Sequence, residues 1–116
     1  MIQIFDTHAH YDDESFDADR EQLLAGFPAQ GVYAVTNIGT NISASEETVR
    51  MTQKYRNMYG VVGIFPSEVA ELENPDNVTR LKELAKHDKI VAIGEIGLDY
   101  HYEETDKALQ HKWFAG

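Results

Sequence analysis

Ile90-Val91-Ala92-Ile93-Gly94-Glu95-Ile96-Gly97-Leu98 is an apolar run that ends on a carboxylate and a glycine-punctuated turn. The segment Ile90–Gly94 has the length and the Val/Ile content of a buried parallel strand, and Glu95 stands where that strand leaves the sheet. In α/β enzymes the chemistry sits at the C-terminal ends of parallel strands and in the loops that follow them. A carboxylate in such a place is costly without a partner, so Glu95 should be paired, protonated or metal-bound. Of the ten Lys and Arg residues in the chain, only Lys89 lies near it in sequence. Considered with the histidine pair at the end of the first strand, His8 and His10, metal binding is the favoured reading.

Working outward, three runs of the same kind precede it: Ile2–Phe5, Val32–Ile38 and Gly60–Phe65. The four starts fall 30, 28 and 30 residues apart, enough each time for a strand, a helix and two loops. Their near-continuous Val, Ile and Tyr content predicts strands buried on both faces. Helices are predicted between them. Phe16, Leu23, Leu24 and Phe27 share one side of a helix stopped by Gly31. Ser43-Ala44-Ser45-Glu46 reads as a capping box that opens a helix through about Tyr59. Asn74-Pro75-Asp76-Asn77 starts a third, with Val78, Leu81, Leu84 and Ala85 inward. Thr105 caps a fourth, with Ala108, Leu109 and Trp113 inward.

Four βα units can close as a small open sheet or stand as half of an eightfold barrel. A barrel takes about 250 residues. The expectation is an α/β fold of four βα units of a TIM-like (βα)8 barrel, with parallel strands, forming a truncated half-barrel. Residues 1–116 would be one partial domain, and two large aromatics in the last turn, Trp113 and Phe114, fit a chain cut inside a barrel.

The chain is 42% hydrophobic and 26% charged, as expected of a soluble globular protein. It has no cysteine, which removes disulfides and thiolate metal sites and favours the cytosol. No basic leader and no run of about 18 apolar residues is present, so a cytoplasmic protein with no membrane partner is expected. A net charge of −10 disfavours sequence-blind binding of nucleic acid through a basic surface. It leaves open a phosphodiester held at a divalent cation, whose charge inverts the local field.

The first strand leads into His8-Ala9-His10. A two-residue period puts both imidazoles on one face, and imidazole is a preferred ligand for divalent metals. Asp6 shares their parity and could accept an imidazole N–H. The candidate ligands are thus His8, His10 and Glu95. With its two oxygens Glu95 can bridge two cations, which suits phosphate-ester hydrolysis by a metal-activated water. No phosphate loop, dinucleotide fingerprint or Ser/Cys nucleophile arrangement is present.

The stretches FDTHAHYDD (Phe5–Asp13), FDADR (Phe16–Arg20), VVGIFPSEV (Val61–Val69) and AIGEIGLDYH (Ala92–His101), with Gln110 and Phe114 further on, resemble the TatD family of metal-dependent deoxyribonucleases. That family belongs to the amidohydrolase-like barrels. The resemblance implies a metal-dependent DNase in which His8 and His10 ligate a divalent cation and Glu95 ligates or bridges as the catalytic carboxylate. It implies one or two cations per site (Mg, Mn, Zn or Ni), and a substrate side lined by Asp99, Tyr100 and His101. The family's remaining two histidines and aspartate come from later strands. Where the family carries His-Pro-His, this chain reads Phe65-Pro66-Ser67, so Ser67 is left as a single hydroxyl donor to substrate.

The function expected is hydrolysis of phosphodiester bonds in DNA or another phosphodiester, with this chain an incomplete and inactive portion. Two alternatives stand beside it. One is a non-catalytic half-barrel that self-associates through its exposed edges. The other is an amidohydrolase-superfamily hydrolase of a non-nucleic substrate.

Overall fold

The computed structural model describes residues 2–101 and 106–116. Among these the chain runs β1 (Ile4–Ala9), α1 (Arg20–Gly26), β2 (Val32–Ile38), α2 (Ile42–Lys54), β3 (Met58–Val62), α3 (Pro75–Leu84), β4 (Ile90–Ile93) and α4 (Lys107–Ala115). Short 3-10 segments at Glu14–Phe16, Pro28–Gln30 and Pro66–Glu73 fill the connections. Each strand pairs in parallel with its sequence neighbour, in the order β1-β2-β3-β4. This is the strand order of a barrel wall, and the four βα units are laid out as one half of a (βα)8 barrel.

The core lies between the sheet and its helices. Leu24, Val35, Met51 and Met58 form one buried cluster, with Tyr11, Phe27, Val32 and Tyr55 packed against it. Val49, Val62 and Leu84 form a second. Burying each such side chain contributes about 1.5–3 kcal/mol relative to exposure. The first helix is shorter than expected: α1 ends at Gly26 with Phe27 as its cap, Phe16 lies in the preceding 3-10 segment, and Gly31, in a left-handed conformation with a φ of 89°, ends the 3-10 segment Pro28–Gln30 rather than α1. Lys89 closes the other end of α2. Its ammonium donates to the carbonyls of Thr52, Tyr55 and Arg56 at 2.8, 2.8 and 3.0 Å, satisfying carbonyls the helix leaves open. Burial pushes the Lys89 ammonium below its ordinary value.

Several expectations are corrected. The outer strands are not buried on both faces: Phe5 is 41% exposed on β1 and Val91 59% on β4, while the inner strands β2 and β3 are largely buried. β1 begins later than Ile2 and runs through His8, and β3 spans Met58–Val62 rather than Gly60–Phe65. α2 ends at Lys54, so Tyr59 lies in β3. Its cap is Asn41, whose side chain accepts from Ala44 N at 2.8 Å. The Ser43 capping box does not form, and Ser45 is instead buried with its hydroxyl on the backbone of Gly63.

On α4 the buried residue is Gln110, Ala108 is exposed, and Leu109 and Trp113 are half-buried. Trp113 Nε1 donates to Glu73 at 3.1 Å, which pins one face of the helix to the 3-10 segment after β3. Thr105 lies outside the described residues, and the cap seen for α4 is Asp106, accepting from Leu109 N. α3 starts at Pro75 behind an Asn74 cap, as the sequence predicts.

Candidate metal centre

The sheet's curvature brings its two outer strands to one rim. In a flat sheet β1 and β4 would stand three strand spacings apart, about 14 Å. Here His8 Nε2 is 3.9 Å from Glu95 Oε1, and His10 Nε2 is 4.0 Å from Glu95 Oε2. One donor atom from each of the three residues falls within 4.8 Å of the others. Register irregularities between Ile4 and Phe5, Asp6 and Ala9, and Gly60 and Val61 interrupt the ladder, and such bulges bend and twist a sheet locally.

The bulge in β1 also decides which way its side chains point. Asp6 pairs with Val35 and Ala9 with Asn37, so the strand spends an extra residue between them. Asp6 therefore loses the parity it shares with the histidines in an ideal strand. Its carboxylate accepts from the Tyr11 hydroxyl at 3.3 Å and from His8 N at 3.2 Å, holding the backbone of His8 rather than an imidazole. Burial, and then the Asp6 carboxylate, pushes the Tyr11 phenol above its ordinary value, which keeps it a neutral donor.

The imidazole of His10 is held by another group. Its Nδ1 lies 3.0 Å from the carbonyl oxygen of Ile38. A carbonyl can only accept, so this bond places the proton on Nδ1 and leaves the Nε2 lone pair facing Glu95. The His8 ring stands at 80° to it with centroids 5.1 Å apart. Two imidazole edges and one carboxylate thus converge on an open mouth, where their side chains are 55, 42 and 33% exposed for His8, His10 and Glu95.

These donors fit a divalent cation. Two ligand atoms each about 2.1 Å from one ion, at a near-tetrahedral angle, lie about 3.4 Å apart. With one donor atom from each residue the separations run up to 4.8 Å, so the exposed side chains have to close by up to about 1.4 Å to reach that spacing. Nitrogen and oxygen donors without sulfur suit Zn, Mn, Ni or Mg.

The other candidate residues are not among these three clustered donors. Asp99, Tyr100 and His101 share the loop between β4 and α4 with Glu95, but the loop turns toward α4. Asp99 N donates to Gln110 Oε1 at 2.7 Å and Asp99 O accepts from Gln110 Nε2 at 2.9 Å. The Tyr100 hydroxyl meets His111 Nε2 on α4, and Lys107 Nζ stands 5.1 Å over its ring. His101 N donates to Asp99 Oδ1 at 2.9 Å, forming a local turn. Ser67 is exposed in the first turn after β3, next to half-buried Phe65.

Two residues that hold this rim together are not identified as functional by sequence reasoning. Arg20 spans the loop after His10: Nε donates to Tyr11 O at 2.5 Å, and Nη2 to Asp13 O at 2.8 Å and Asp12 O at 3.3 Å. The signal was its place in the FDADR stretch. Gln110, 1% exposed, is the clamp on Asp99. Gln110→Ala should leave both Asp99 backbone groups unpaired. The expected loss is about 1–3 kcal/mol of stability, and amide exchange at Asp99 should speed up to the rate of unprotected loop positions. An unchanged Asp99 exchange rate would refute the clamp.

The model of a family described as TatD related DNase matches residues 5–116. An uncharacterized metal-dependent hydrolase, YabD, from Bacillus subtilis is 33% identical over 111 residues, covering 96% of this chain and 43% of the relative. The 3'-5' ssDNA/RNA exonuclease TatD of Cronobacter sakazakii is 31% identical over 112 residues, covering 97% and 42%. The chain thus spans about two-fifths of the length of these curated relatives. A crystal structure of a hydrolase TatD family protein from Entamoeba histolytica superposes with a TM-score of 0.87 at 23% identity, over 98% of this chain and 44% of that one. At that identity the likeness concerns the fold.

Proposed function

The chain belongs to the TatD-related DNase family, and from that premise we propose that it supplies one side of the metal centre of a phosphodiester hydrolase acting on DNA. The observation that carries this reading is the convergence of His8, His10 and Glu95 at the C-terminal rim of the sheet. A divalent cation held by His8, His10 and Glu95 would supply Lewis-acid chemistry for hydrolysis of a phosphate ester. The chain's own part is to present two imidazole edges and a carboxylate on one mouth, with His10 Nδ1 held on the Ile38 carbonyl. The relatives support a nuclease reading through their names, one of them an exonuclease on single-stranded DNA and RNA. Residues 1–116 form the N-terminal half of the barrel in this reading, and three donors make an incomplete centre with at most residual turnover.

Charge makes a clean test. At a net −10, the chain has no electrostatic reason to hold DNA without a cation. A fluorescently labelled single-stranded oligodeoxynucleotide should bind in the presence of Mn²⁺ and be released by EDTA, with little cleavage. Binding that survives chelation would contradict the proposal, as would rapid hydrolysis without metal.

A further inference from the structure

Behind the rim lies a buried amide that no part of the function above uses. Asn37, near the end of β2, is 0% exposed, and its carboxamide is engaged at both atoms. Oδ1 accepts from Tyr11 N at 2.6 Å. Nδ2 donates to Asp12 Oδ1 at 3.0 Å and to Thr48 Oγ1 at 2.8 Å. Thr48 in turn donates to Ala44 O, within α2. The next residue, Ile38, offers the carbonyl that takes the His10 Nδ1 proton. Two consecutive residues of β2 therefore grip His10 from both sides, Ile38 at its ring and Asn37 at the peptide that follows it.

We propose that Asn37 is a positioning residue that fixes the metal-binding edge of His10. Its amide acts through Tyr11 N and Asp12, keeping the His10 ring on the Ile38 carbonyl and the Nε2 lone pair turned to Glu95. A buried amide is expensive unless its partners are all present. Here two of the three bonds tie the loop after the histidines to β2, and the third, to Thr48, ties β2 to α2. Arg20 holds the carbonyl side of the same loop, which leaves Asn37 as the group on its N–H side. A cost of 10–100-fold in metal affinity is typical for residues that orient a ligand from behind.

The inference rests on the metal reading of His8, His10 and Glu95, but its first readout needs no metal. In the ¹⁵N-labelled, metal-free chain at about pH 8.5, above the ordinary histidine range, the ring shifts of His10 should report the Nδ1–H tautomer. In Asn37→Ala they should move to the Nε2–H form that an untethered imidazole prefers, and Zn²⁺ affinity should fall about 10–100-fold. Thr48→Val is the control. It is equally buried and removes a bond on the helix side of Asn37, so it should lower stability yet leave the His10 tautomer and Zn²⁺ affinity within about twofold of the parent.

If Asn37→Ala does not fold, Asp12→Ala carries the test. It removes one tether from a half-exposed position, and should cost a few-fold in Zn²⁺ affinity with a partial tautomer shift. An unchanged tautomer and affinity in the folded variant overturns the proposal, and so does a Thr48→Val effect as large as that of Asn37→Ala. A parent chain that binds no Zn²⁺ would sink the metal reading, while the tautomer comparison would still decide the role of Asn37.

Discussion

Glu95→Gln should lower the Zn²⁺ affinity of the chain by more than about 100-fold, above the ceiling for residues that act only through a ligand. Glu95 is the single carboxylate of the three-donor cluster, and it faces both imidazoles at 3.9 and 4.0 Å. Glutamine keeps the shape and one oxygen but removes the charge that neutralises a cation. The fold should not notice. Glu95 is one-third exposed and no side-chain contact of it is needed by the core, so the stability change should stay within about 0.5 kcal/mol. Calorimetric titration with Zn²⁺, beside a urea unfolding curve, separates the two effects. Equal affinities for the parent and Glu95→Gln would remove the carboxylate from the site.

A methyl group at Gly63 should do comparable harm from behind. A Cβ there would stand 2.2 Å from the carbonyl oxygen of Gly94 and 2.6 Å from its carbon. Both are backbone atoms, so no side chain can swing aside. Gly94 immediately precedes Glu95, and Gly94 N is bonded to Val62 O at 3.0 Å. Gly63→Ala must therefore push the end of β4 away from β3 and carry Glu95 away from the histidines. Overpacking of this kind costs about 1–3 kcal/mol, and the displaced carboxylate should cost at least about tenfold in Zn²⁺ affinity. Thermal unfolding and the same calorimetric titration read both. A variant with parental stability and affinity would show that the Gly63–Gly94 approach is not what positions Glu95.

The reasons the sequence was readable differ from element to element. The strand-loop spacing was clear because each βα unit carries its own apolar run and its own breaker, as at Gly31 and Asn74-Pro75. His8, His10 and Glu95 were visible because polar side chains at the ends of apolar strands have few other uses. What failed was decided by tertiary contacts. Asp6 shares a parity with the histidines in an ideal strand, and a bulge after it took that parity away. Ser45 looked like part of a cap and was drawn instead to the backbone of Gly63. Gln110 gave no local signal of burial, because a polar residue is buried there only to clamp Asp99 one loop away. Asn37 was hidden for the same reason, inside an apolar strand whose periodicity says nothing about an amide turned toward α2.

Diffraction at the zinc absorption edge, on crystals of the chain grown with Zn²⁺, tests the central claim most directly. The account predicts an anomalous peak about 2.0–2.2 Å from His8 Nε2, His10 Nε2 and a Glu95 carboxylate oxygen. Zinc bound elsewhere with those three side chains left empty would contradict it.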